Sequence, residues 1–82
     1  RYVWRVSVIN RDAMPRYTRI YYTTRGVDPG IDENDDPVVG SRYWGPFSVR
    51  RTDPVVVARA YPPRLKKDEY STSEAVSLPL SE

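Results

Sequence analysis

The sequence predicts a small all-β fold, a sandwich or barrel, and three observations carry that prediction. Eight prolines punctuate the chain at positions 15, 29, 37, 46, 54, 62, 63 and 79. A proline inside a helix costs about 3 kcal/mol, so long helices are excluded. The runs between the prolines are short and rich in Val, Tyr, Thr and Ile, residues that suit a pleated, half-buried surface. Within those runs apolar side chains recur with a period of two, and no stretch shows the helical period. The 82 residues make a single domain, 1–82, with a thin core.

The elements follow in order. Tyr2 to Ile9 alternates, with Tyr2, Trp4, Val6 and Val8 on one face and Val3, Arg5, Ser7 and Ile9 on the other. Residues 10–15 form a turn bent by Asn10 and Asp12. Tyr17 to Thr24 is the second strand, with Ile20 and Tyr22 toward the core. Arg25 to Pro37 is a long loop holding two Gly, two Pro and an acidic run, after which Val38 and Val39 are expected to add a short edge strand. Ser41 to Val49 reads as one strand kinked at Gly45-Pro46. Arg50 to Pro54 is a turn, and Val55 to Tyr61 is the most strand-like run, with Val55, Val57, Arg59 and Tyr61 opposing Val56, Ala58 and Ala60. Pro62 to Tyr70 is a charged loop, and Ser73 to Leu80 closes the fold.

Composition narrows the chemistry. There is no Cys and no His. That removes disulfides, the usual structural zinc, the commonest general base and the best nucleophile. The expectation is a protein that is not an enzyme and has no catalytic residues. The net charge of +2 is too small to imply nucleic-acid binding, so no nucleic-acid partner is expected. No apolar run approaches the length of a membrane span. Charge is unevenly distributed: arginines load the first third, and Asp28, Asp32, Glu33, Asp35 and Asp36 follow in one stretch. Such a pattern is either a solvated surface or a head-to-tail contact between copies.

Four short blocks then share an order with a known family. The run Ile20-Tyr21-Tyr22-Thr23-Thr24-Arg25-Gly26-Val27-Asp28-Pro29 resembles the strand and turn that mark the chitobiase/β-hexosaminidase C-terminal-type domain, also called a fibronectin-III-associated repeat. Tyr43 to Val49, Val55 to Ala60 and Ser73 to Val76 resemble its later segments, so the resemblance covers residues 17–80. Arg25 stands where the family usually has Asp, and the stretch between Pro29 and Tyr43 is longer than usual. The resemblance implies an immunoglobulin-like Greek-key β-sandwich of six to seven strands. It also implies a non-catalytic appendage of a secreted or surface-attached bacterial protein.

Three groups of residues are candidate sites. Asp28, Asp32, Asn34 and Asp36 are the only residues suited to an ion, with calcium the cofactor to consider. An EF-hand is excluded, because Pro37 stands where its glycine must be and Tyr43 where its bidentate Glu must be. Trp44 and Tyr43 are a candidate platform for stacking sugar rings, although aromatics are also simply good strand formers. Tyr2, Trp4, Val6 and Val8 are the candidate assembly residues, as a terminal strand that fills a neighbour's open edge. Arg and Tyr interleaved in the first strands would suit single strands of nucleic acid, but the acidic loop and small net charge count against that, and cross-strand stacking explains the same pattern. The expected function is therefore an extracellular or cell-surface, prokaryotic, structural or adhesive module. It would assemble with copies of itself or with neighbouring domains, a self-assembling fibril subunit being one form. A carbohydrate-binding accessory domain, with polysaccharide as partner, is the alternative.

Overall fold

The computed structural model describes residues 2–9 and 14–80, the first two of these by backbone alone. Their strands are β1 (Tyr2–Val6), β2 (Arg19–Thr23), β3 (Ser41–Arg42), β4 (Phe47–Arg50), β5 (Val55–Tyr61) and β6 (Val76–Pro79), with a short 3₁₀ turn at Arg64–Lys66. They form two sheets, β1-β4 and β3-β2-β5-β6, and every pairing is antiparallel. The all-β expectation holds. The turn at 10–15 falls largely outside the described residues.

Register decides which side chains meet. Ile20 pairs with Ala60, Tyr22 with Ala58, Val56 with Leu78 and Ala58 with Val76. Paired residues share a face, so Ile20, Tyr22, Val56, Ala58, Val76 and Leu78 line the inner side of the larger sheet. Trp4 pairs with Val49 and Val6 with Phe47, which turns those four inward from the smaller sheet. The two inner faces meet in a core of Val6, Val49 and Val56, with Trp4, Phe47 and Leu80 packed against it. Tyr22 and Phe47 stack with centroids 3.9 Å apart, setting β4 over β2. Val6 on Val56 sets β1 over β5.

Two expectations need correction, and one strand is covered on both faces. Ser41 to Val49 is not one strand: the chain leaves β3 in the larger sheet and enters β4 in the smaller, crossing at Tyr43–Pro46. Gly45, at φ 156°, lies within that crossing. Val38 and Val39 form no strand. Both of their N–H groups donate to the Pro29 carbonyl, which closes the acidic loop on itself instead. Finally, β5 is buried on both sides, since Val57 and Tyr61 on the outer face are as enclosed as Val56 on the inner one. The second covering is the acidic loop, which folds across the outer face.

Candidate functional site

The loop is fastened by side chains from β2, β5 and the segment after the 3₁₀ turn. Arg59 holds Asp28 with two hydrogen bonds, Nε to Oδ1 and Nη2 to Oδ2, each 2.6 Å, while its Nη1 donates to the Ser73 carbonyl at 2.8 Å. Asp36 accepts from Arg19 at 2.7 Å and from Lys67 at 2.9 Å. The Tyr61 hydroxyl, beneath the loop, donates to the Gly30 carbonyl at 2.6 Å. Electrostatics follow from these contacts. The Arg59 hydrogen bonds, helped by the Gly30 N–H, lower the Asp28 carboxyl to about 2. Lys67 and then Arg19 lower Asp36. Burial pushes the Tyr61 phenol up to about 12.

That arrangement separates the calcium candidates. Asp28 faces Arg59, Asp36 faces Lys67 and Arg19, and the Asp32 carboxylate accepts the backbone N–H groups of Asn34 and Asp36. Among the described residues no three acidic groups stand together where they would hold a metal ion. Alternating signs of charge explain the acidic run as one half of an intramolecular clamp. The other half, Arg19, Arg59 and Lys67, is distant in sequence and was not singled out by any local motif.

Trp44 and Tyr43 point to different environments. Trp44 is 80 % exposed, and the Arg42 guanidinium lies 4.1 Å from its ring centroid. Tyr43 is half-buried, edge-on to Tyr22 and Phe47, and its hydroxyl accepts the Val8 N–H at 3.2 Å. Tyr43 is thus a packing residue that ties the segment after β1 to the crossing, and Trp44 is the exposed member of the pair.

Of the assembly candidates, Trp4 and Val6 are packed into this chain's own core, and Val8 is held by Tyr43. The Tyr2 backbone pairs with Arg50, across a register shift between Tyr2 and Trp4, while its side chain lies outside the described residues. The strand is therefore placed within its own sandwich, and what remains open is its far edge. Among the described residues β1 pairs with β4 alone, whereas the sheet beneath continues past β5 to β6. Val76 and Leu78, on the inner face of β6, are 69 % and 48 % exposed. Two clefts, of about 330 and 470 Å³, run between β1 with its continuation to Ile9 and the inner side of β6. Together they form a groove with one hydrogen-bonding wall and an apolar floor. The sequence signal for this groove is the alternation of Val76, Leu78 and Leu80, which marks a core face without saying that none of the described residues covers it.

No family model, curated protein or solved structure matches the chain.

Proposed function

We propose that the chain is a non-catalytic structural or adhesive module of an extracellular or cell-surface protein. In this reading it is an immunoglobulin-like Greek-key sandwich. The order of the strands supports it: β1, β2, β4, β5 and β6 correspond to B, C, E, F and G, and β3 lies beside β2 as C′ lies beside C. Among the described residues no strand stands in the position of A. The observation that carries the reading is the open edge of β1 above the exposed Val76 and Leu78. A row of unpaired backbone groups beside apolar surface is a template for joining another chain. The resemblance of residues 17–80 to surface-protein appendages agrees with this.

The test is light scattering and negative-stain imaging of the purified chain at rising concentration, with the neighbouring domains of its parent protein added in parallel. Oligomers, filaments or complexes are expected. A monomer that joins neither itself nor those neighbours would contradict the reading.

One observation favours a second reading, binding of polysaccharide: the exposed Trp44 ring, with Arg42 stacked on it, is the shape of a sugar platform. A glycan array comparing the wild type with Trp44→Ala separates the two. Binding lost in the variant supports a carbohydrate site, and silence on every glycan removes it.

A further inference from the structure

The groove beside β1 has a shape that limits what can fill it. We infer that it receives a single extended segment of another polypeptide, apolar at alternate positions and neutral or acidic between them, added as a strand to the free edge of β1. This rests on the structural-module reading and names the partner chemistry of its open edge.

Three observations carry the inference. The first is steric. β1 lies over β5, and β6 extends one strand further than β1. A second folded copy pairing its own β1 with this edge, its inner face on the same side, would bring its β5 into the place β6 already occupies, because strands in both sheets are spaced about 4.8 Å apart. A lone segment has no second sheet behind it and meets no such obstacle. The second is the floor. Val76 and Leu78 point toward the groove two residues apart, the spacing at which an extended segment presents its side chains on one face. The incoming apolar residues would cover both. The third is charge. The charged side chain beside the free edge is Arg5, on the outward face of β1, and no acidic residue is among the described residues that line the groove. An acidic or neutral outward face on the incoming strand therefore matches the wall, and a basic one opposes it. At about 3.3 Å per residue, the five residues of β1 offer an edge about 17 Å long, enough for a segment of five or six residues.

The test uses a synthetic end-capped peptide, Thr-Val-Glu-Val-Thr-Val-Glu, titrated into the isotopically labelled chain and followed by amide chemical shifts. A peptide of the same composition with the valines contiguous serves as the control. The expected result is saturable shifts confined to 4–9 and 76–80 at millimolar peptide or below, with binding weakened at least tenfold in Val76→Lys and in Leu78→Lys. Both positions are exposed, so both variants are expected to fold, which the unchanged shifts of β2 will verify. No saturable shift at several millimolar, equal binding of the control peptide, or indifference to both lysines would overturn the inference. So would the same shifts appearing on concentrating the chain alone, since the occupant would then be a second copy. That last outcome would leave the structural-module reading standing, as would peptide failure combined with filaments. A monomeric chain that nonetheless binds the peptide would separate the two the other way.

Discussion

Replacing Arg59 with Met tests how the outer covering is held. Methionine keeps the aliphatic stem beside β2 and removes two hydrogen bonds to Asp28 and one to the Ser73 carbonyl. A hydrogen bond to a charged group contributes about 1.5–3 kcal/mol when well enclosed. Here the Arg59 side chain is 17 % exposed but Asp28 is 45 % exposed, so water takes over part of what Asp28 loses. Solvent screening brings the expected loss for the whole cluster to about 2 kcal/mol. In a domain of this size, 1 kcal/mol moves Tm by about 4–8 °C, so the variant should melt about 8–16 °C lower. Urea unfolding of the wild type, Arg59→Met, Asp28→Asn and the double variant gives the coupling directly, expected near 1 kcal/mol or more. A loss under about 0.5 kcal/mol in Arg59→Met would refute the idea that this pair pins the loop, being no larger than an ordinary surface substitution.

Further outcomes follow from the same contacts. Asp28 titrates lower folded than unfolded, so its contribution is complete above about pH 4 and is lost as pH falls toward 2. Acid unfolding of Asp28→Asn should therefore be flatter over that range than that of the wild type, and Asp36, lowered in the same sense, should act likewise. Val49→Ala empties a fully buried site between the sheets and should cost about 2 kcal/mol in urea unfolding. Gly40→Ala should be worse than Gly45→Ala, because a Cβ at Gly40 would lie 2.8 Å from the Tyr22 carbonyl, at φ 108°, while one at Gly45 meets nothing within 4 Å. Comparing the two midpoints checks that difference. Tyr61→Phe removes the hydroxyl bond to Gly30 and should lose about 1 kcal/mol, with faster hydrogen exchange at residues 28–39 as the local readout.

Local pattern carried some of this architecture and not the rest. The alternation of Val55 to Tyr61 and the Ile20–Tyr22 pair identify β2, β5 and their inner face, because a period of two is a property of the strand itself. The kink at Gly45-Pro46 was visible, since those residues cannot continue a ladder, but a kink and a change of sheet look the same in sequence. Tyr61 reads as a polar-tipped strand residue. Its burial depends on the loop at Gly30, some thirty residues earlier, and only the folded chain brings the two together. The acidic run reads as ligands, solvated charge or a contact between copies, because its three cationic partners lie on other segments. The groove is the least legible feature: Val76 and Leu78 are patterned like any core strand, and what distinguishes them is that no described residue covers them.

The claim that this is a sandwich with one edge of β1 open is tested most directly by native-state hydrogen exchange on the dilute chain. A strand paired on one side bonds every second amide, while one paired on both sides bonds successive amides. The expected result is alternating protection along 2–6 and continuous protection along 55–61. Continuous protection along 2–6 would mean that β1 already has a second partner, and would contradict the account.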